Sequence, residues 1–262
     1  MSVTPEEVAQ FDLACFFESS TAHTEEIAET QFRENLALLR KFHPIDSASR
    51  ILEIGTGLGW FQVMCLRNGV QCEGVELSPQ LLEHALRLGE QYGLQLKIQL
   101  GNIEDTDIGL SRYDCIIAES VLEHVPDWKR TIHKVYHALK PRGVFYFCST
   151  NKFSLVSGEF PRVPLYGWLP NRLRRWIRMK AQGPGVMLWC MDFNQFRYPP
   201  LRKFLKQVGF REVFDYVEMK DADALNNPSR LRRLLMKTLK SSRLAKRLFL
   251  TFKETTVFLC RK

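Results

Sequence analysis

The sequence predicts an α/β fold, a doubly wound sheet with helices on both faces, and three observations carry that expectation. From residue 49 to about 150, apolar runs of strand length alternate with helix-patterned segments. Continuous rather than alternating hydrophobicity marks strands covered on both sides, as in a parallel sheet. A glycine-rich turn, "GTGLG" at 55–59, follows the first run, and Glu53, Glu76 and Glu119 fall near the carboxyl ends of three runs. Ligands bind along that edge in such sheets, near the point where strand order reverses.

Each element has a local cause. Thr4, Pro5 and Glu7 form a helix start, with a capping hydroxyl, a first-turn proline and a capping-box acid, and residues 1–48 read as a helical cover. "RILEIG" is a short buried strand, and "WFQVMCLRNG" a helix closing at Gly69. "QCEGVEL" is the second strand. "SPQLLEHALRLGEQYG" is a helix with Ser78 as cap, Pro79 at its first position and Gly93 at its end. "LQLKIQL" and "YDCIIAE" are strands, "DWKRTIHKVYHALK" a helix and "GVFYFCST" a strand, completing a core over 49–151. The alternation then breaks. Residues 152–200 form an insert rich in Pro, Gly, Trp and Arg, and 201–262 return to the sheet through the helix "PPLRKFLKQVGF" and the strands "REVFDYVEM" and "TTVFLCRK". A single domain of 262 residues accommodates all of this.

Composition narrows the class. Hydrophobic residues make up 45% and charged residues 25%, as in a globular protein, and there is no run of 18 apolar residues to span a membrane. The opening "MSVTPEEVAQ" is acidic and polar, unlike a secretory leader. Seven cysteines without a CxxC pair read as reduced thiols, and hence a cytoplasmic location. The net charge of +8 divides unevenly: residues 1–161 carry 14 Lys+Arg and 22 Asp+Glu, whereas 162–262 carry 23 and 7. A half with sixteen excess cations calls for an anionic partner: membrane headgroups, nucleic acid or a phosphorylated substrate.

The glycine loop points to a particular ligand. Its spacing is G-x-G-x-G followed by the bulky Trp60, not the G-x-G-x-x-G of a dinucleotide site, and it holds no Lys or Arg. Glu76 lies 21 residues beyond Gly55, at the end of the next strand, where a carboxylate can accept both hydroxyls of a ribose. A ribose without phosphate, among carboxylates, implies a positively charged nucleoside. S-adenosylmethionine, with its sulfonium and ammonium, fits.

Over about residues 45 to 150 the chain resembles the class I S-adenosylmethionine-dependent methyltransferases. "EIGTGLG" resembles their acidic glycine-rich motif, which implies that Glu53, Gly55, Gly57 and Gly59 hold the methionine part of the cofactor. "GVELS" implies Glu76 on the ribose with Leu77 beside it, and "GNIEDT" places Asn102 and Ile103 at the adenine, with Glu104 adjacent. "AESVLEHVPD" and "LKPRGVFYFCSTNK" continue the pattern, most like the group that includes ubiquinone-pathway O-methyltransferases. The resemblance implies a Rossmann-like seven-stranded sheet, mostly parallel with an antiparallel last strand. It also implies methyl transfer to a small or lipid-linked hydroxyl acceptor. An RNA or small-amine N-methyltransferase and a non-catalytic cofactor-binding relative are the alternatives.

In "ESVLEHVPD", Glu119 stands at the strand end and Glu123, His124 and Asp127 follow. His124, whose ordinary pKa lies near working pH, is the first candidate base, with Glu123 beside it; a purely positional role for His124 is the competing reading. Ubiquinone-pathway enzymes carry Glu-x-x-Glu-His here, proposed to hold a divalent cation. Ser120 replaces the first glutamate, which argues against a metal site. His133 and His137, four apart, sit beside a core stripe of Ile132, Val135, Tyr136 and Leu139 and read as rim residues.

Two basic segments remain. "NRLRRWIRMK" interleaves Arg172, Arg174, Arg175, Arg178 and Lys180 with Leu173, Trp176, Ile177 and Met179, near Trp168 and Trp189. From Ser229 to Lys253 there are nine cations and no acid, with Leu231, Leu234, Leu235, Leu239, Leu244 and Leu248 at helical spacing. Such helices either pack their leucines on the sheet or seat them in an anionic membrane surface, at its cytoplasmic face. Nucleic acid ranks behind both. The fourth strand lacks the Asn/Asp-Pro-Pro-aromatic turn with which amino-methylating enzymes of the resembled superfamily grip a flipped base.

Overall fold

The computed structural model describes residues 4–9, 24–156, 160, 163–182, 194–220 and 230–262. Seven strands make one sheet: β1 (Arg50–Ile54), β2 (Gln71–Glu76), β3 (Lys97–Leu100), β4 (Tyr113–Glu119), β5 (Leu139–Thr150), β6 (Glu212–Asp215) and β7 (Thr255–Arg261). Their order is β3-β2-β1-β4-β5-β7-β6, and β7 alone runs antiparallel to its neighbours. The order reverses between β1 and β4, so a crevice opens outside their carboxyl ends.

Helices cover both faces: α1 (Pro5–Val8), α2 (Glu25–Arg40), α3 (Trp60–Arg67), α4 (Pro79–Gln91), α5 (Trp128–Ala138), α6 (Asn171–Gln182), α7 (Tyr198–Val208), α8 (Tyr216–Met219), α9 (Arg230–Ser241) and α10 (Arg243–Phe252). The period-two geometry of a strand sends successive side chains to opposite faces. In β4, Ile116 and Ala118 enter the core shared with α5, α7, α9 and α10, while Cys115 and Ile117 enter the one shared with α2 and α3. Both faces are therefore apolar, which explains the unbroken hydrophobic runs. The expected capping box at Thr4 and Glu7 is present, as is the Ser78 cap of α4. The five described cysteines are free thiols; Cys15 and Cys190 lie outside the described residues.

Two expectations are corrected. "REVFDYVEM" is not one strand: it ends at Asp215, whose side chain accepts the Val217 and Glu218 amides and starts α8 with a capping box. "DWKRTIHKVYHALK" leaves the helix at Ala138, and Leu139 already pairs with Tyr113 in β5. The basic segment after 229 is two helices, with Ser242 capping the second. Its leucines divide accordingly. Met236, Leu239 and Leu250 are buried, while Leu234, Leu235, Leu244 and Leu248 are exposed; the Leu231 side chain lies outside the described residues.

A charge cluster fixes α10 to the sheet edge. Asp215 is fully buried and accepts from Arg202 Nη1 at 2.5 Å and Tyr198 Oη at 2.7 Å, with Lys246 Nζ at 3.3 Å. Glu218 takes Arg202 and Lys246 as well. Burial alone would raise the Glu218 carboxyl, but these two cations outweigh it and hold it at about 2. Breaking a buried pair of this kind costs roughly 3–5 kcal/mol, because the surviving charge is left without a partner.

Candidate cofactor and acceptor site

The crevice is built from the ends of β1, β2 and β4. After Ile54 the chain turns through Gly55 at φ +73° and Gly57 at φ +52°. Both are left-handed conformations that cost an L side chain about 1–2 kcal/mol. A Cβ on Gly55 would also lie 2.4 Å from Val121 Cγ2, whereas one on Gly57 would meet nothing within 4 Å. The first glycine lets the loop touch the β4 exit, and the second faces open space. Gly59 then begins α3 without any side-chain cap, leaving first-turn amides as donors for an anionic group.

Glu76 closes the loop from below. Its Oε2 accepts the Gly57 amide at 2.9 Å and its Oε1 the Ser78 amide at 2.9 Å, so one carboxylate ties β1's turn to the start of α4. Leu77, half-buried beside it, contributes a further amide. Burial raises the Glu76 carboxyl above its ordinary value, and these amides partly offset the rise. Glu53 is pushed well above the usual carboxylate range by burial, then by Cys65, Glu119 and Glu76 nearby; its Oε2 is buried with no hydrogen-bond partner. Glu119 opens to solvent, yet the protein around it desolvates its carboxyl and raises it too, against one hydrogen bond from Asn35 Nδ2 at 3.2 Å. Among the described residues no Lys or Arg side chain bonds any of these three acids. An orphaned carboxylate oxygen and three carboxyls raised by burial fit a cationic nucleoside, whose sulfonium and ammonium would favour the charged form.

The β3–β4 loop supplies the third wall. Asn102 Oδ1 accepts the Glu104 amide at 2.9 Å, and Ile103 is buried. Lys134 of α5, invisible to motif reasoning, donates to the carbonyls of Ile103, Glu104 and Thr106 at 2.8–2.9 Å and holds the loop in shape. Buried Glu104 reaches from this loop to the Asp127 amide at 2.7 Å, joining it to the segment that follows β4.

On that side Ser120 adopts φ +54°, and a 3₁₀ turn, Leu122–His124, follows. His124 is half-buried on this turn. Glu123 is buried, its Oε2 accepting from Ser149 Oγ at 2.6 Å; burial raises its carboxyl, while His124 and Ser149 lower it. It thus braces β5 from inside, so of the two candidate bases His124 is the accessible one. Asn194, a second unforeseen residue, donates from Nδ2 to the Leu122 and Val125 carbonyls at 3.2 and 2.5 Å, and its own amide bonds the Glu123 carbonyl. His133 and His137 lie exposed against the Phe204 and Tyr136 rings. Among the described residues no group of three His, Cys, Asp or Glu is placed to hold a metal.

The methyltransferase-domain family matches residues 26–213, most of the chain and every wall of this crevice. The chain belongs to that family. The methyltransferase is 28% identical over 166 residues to the ubiquinone biosynthesis O-methyltransferase of Coxiella burnetii, covering 58% of this chain and 68% of that one. Among solved structures it resembles Haemonchus contortus phosphoethanolamine N-methyltransferase 2 bound to phosphomonomethylethanolamine and S-adenosylhomocysteine. The TM-score is 0.56 at 17% identity, covering 94% of this chain and 59% of that protein's length. An S-adenosylmethionine-dependent methyltransferase of Archaeoglobus fulgidus aligns with TM-score 0.57 at 14% identity, covering 96% and 100%. This chain is an S-adenosylmethionine-dependent methyltransferase with the corresponding Rossmann-like, seven-stranded fold.

The raised Glu53 carboxyl has a stability consequence. Its pKa in the fold lies above the unfolded value of 4.5, so the fold is favoured by protonation. That contribution is complete below pH 4.5 and is lost as pH climbs through the folded value. Glu53→Gln, permanently neutral, is expected to melt above the wild type at pH 8 with the difference closing toward pH 4.5. Melting curves offset equally at both ends would show that the fold does not raise the Glu53 carboxyl.

Proposed function

We propose that this methyltransferase O-methylates a small or lipid-linked hydroxyl acceptor, with His124 as the base. The observation that carries the reading is the β4 exit loop, which puts an accessible histidine on a turn braced by Glu123, Ser149 and Asn194 beside the cofactor crevice. Bound there, S-adenosylmethionine supplies a methyl group on a sulfonium, transferred by in-line displacement. The protein's share is alignment, exclusion of water and, for a hydroxyl, removal of its proton. Glu53, Glu76 and the glycine loop hold the nucleoside, Asn102 and Ile103 border its base, and Glu119 faces the junction with the acceptor. The relatives named for ubiquinone biosynthesis O-methylation favour a hydroxyl; the phosphoethanolamine N-methyltransferase of similar fold makes a small amine the second reading.

The insert supports an anionic membrane surface as the place of work, at the cytoplasmic face. In α6 Arg174 and Arg178 are buried, while Trp176 is 55% exposed and Leu173 and Met179 also face outward. Arg174 lies 5.7 Å from the centre of the Tyr166 ring, so part of its positive charge is held inside by an aromatic face. In α10 Leu244 is 69% exposed, and Phe252 stacks on Trp168 at 6.0 Å. Asn151 Nδ2 bonds the Leu250 and Lys253 carbonyls and thereby ties this apolar surface to the end of β5, the edge where the crevice opens. Outward apolar groups among cations suit a headgroup layer better than a solvated face. No described helix is long and apolar enough to cross a membrane. Trp189 lies outside the described residues.

With tritiated S-adenosylmethionine, label is expected in phenols or prenylated hydroxyl compounds rather than primary amines. His124→Ala should lower kcat by roughly a hundredfold or more while S-adenosylhomocysteine binds as before. Full turnover in that variant removes histidine as the base, and label only in amines removes the O-methyl reading.

In flotation at low salt, the protein should rise with phosphatidylglycerol vesicles and a Trp176→Glu/Leu244→Glu variant should stay behind. Absence of wild-type flotation, or salt-sensitive binding to RNA in its place, contradicts the membrane surface.

A further inference from the structure

Gln62, in the first turn of α3, is fully buried, and neither its Oε1 nor its Nε2 has a hydrogen-bond partner. A glutamine at this helix position commonly reaches back to the amide of the capping residue. Here the Gly59 amide is already given to the Thr56 carbonyl at 2.9 Å, and Gln62 turns instead onto the sheet. A Cβ on Gly74 of β2 would lie 2.0 Å from Gln62 Nε2 and 2.3 Å from Thr56 Cγ2, so the amide fills the space that a side chain at 74 would take.

Gly74 is the residue of β2 that pairs with Glu53 of β1. The Gln62 amide therefore lies beside the Glu53 carboxyl, whose Oε2 is also buried without a partner. Packing does not account for a glutamine here. An apolar side chain of equal length would fill the same space and leave no polar atom unmet. Four titratable groups surround the Glu53 carboxyl: Cys65 of α3, Cys72 and Glu76 of β2, and Glu119 of β4. Cys65, Glu119 and Glu76 add to burial in keeping it neutral, and Gln62 acts against them by favouring the charged form.

We propose that Gln62 is a positioning residue for the cofactor: its amide completes a hydrogen bond to Glu53 Oε2 and aims that carboxylate at the ammonium of the cofactor's methionine end. The inference rests on Glu53 holding that end. An amide suits the task because it donates without charge. A lysine or arginine in its place would pair with Glu53 and compete with the ligand's own ammonium. Gly74 belongs to the same arrangement, since any side chain there would push the amide away from the acid.

The test is calorimetric titration with S-adenosylhomocysteine, which keeps the ammonium, across the pH range in which the protein stays folded. It compares wild type, Gln62→Met, Glu53→Gln and the double variant; methionine matches glutamine in length and cannot donate. Near neutral pH, Gln62→Met should bind about tenfold more weakly. Affinity should rise with pH as Glu53 ionises, and in Gln62→Met that rise should move to higher pH, because the variant lacks a group favouring the charged acid. In the Glu53→Gln background the same substitution should change affinity by less than about twofold. A loss equal in both backgrounds, an unmoved pH profile or no loss at all overturns the role of Gln62 and leaves that of Glu53 standing. Glu53→Gln binding as tightly as wild type removes Glu53 as the holder and the proposal with it. If Gln62→Met does not fold, the wild type decides. Its Gln62 side-chain amide protons should move downfield in the NMR spectrum when S-adenosylhomocysteine is added, and should not in Glu53→Gln. An amide signal indifferent to the ligand overturns the proposal.

Discussion

The Glu76 carboxylate sits where the sheet, the glycine loop and α4 meet, and the rest of the crevice depends on it. Both of its oxygens are committed to backbone amides, Gly57 on one side and Ser78 on the other. A buried acid is tolerated because those amides and the open face of the loop compensate it. The same placement makes one residue set the loop's conformation. Glu53 and Glu119 extend the acidic surface. Burial raises all three carboxyls above their ordinary values, and a cationic ligand beside them would favour their charged forms.

The carboxyl-terminal half is organised by a different balance. Asp215 and Glu218 collect cations from α7 and α10, which lets a strongly basic segment fold back onto the sheet edge. The aromatic rings of Tyr166 and Phe160 lie against two buried arginines of α6. With those two charges drawn inward, Leu173, Trp176 and Met179 take outward positions on the same helix. The acidic half thus faces the nucleoside, and the basic half presents Trp176, Leu244 and their neighbours to whatever lies outside.

The parts of the fold read correctly from sequence were those with local causes: the Thr4 and Ser78 caps, the glycine turn, and Glu76 at a strand end. The capping box at Asp215 and Glu218 carried an equally local signal, an acid three residues before another, hidden inside an apolar run that looked like continuous strand. Lys134 and Asn194 could not have been read in this way. Both bond main-chain carbonyls, which every sequence offers equally, so only the folded chain shows where they point. The inward turn of Arg174 and Arg178 follows from the position of Tyr166 and Phe160, a tertiary fact that overrides the usual rule that arginines face water. Within the site, the residue types at the crevice were legible in the sequence, and the structure separates two neighbours that the sequence could not, sending Glu123 inward to Ser149 and leaving His124 half-buried on the turn.

The most direct test is calorimetric titration of the protein, shown to be folded and free of carried-over ligand, with S-adenosylhomocysteine and with NADH, for wild type and Glu76→Gln. The amide keeps one acceptor for the loop and removes the charge. Selective binding of S-adenosylhomocysteine that weakens by about tenfold or more in the variant is the expected result. Equal binding of NADH, or an affinity for S-adenosylhomocysteine indifferent to Glu76, would contradict a crevice built around that carboxylate for a phosphate-free nucleoside.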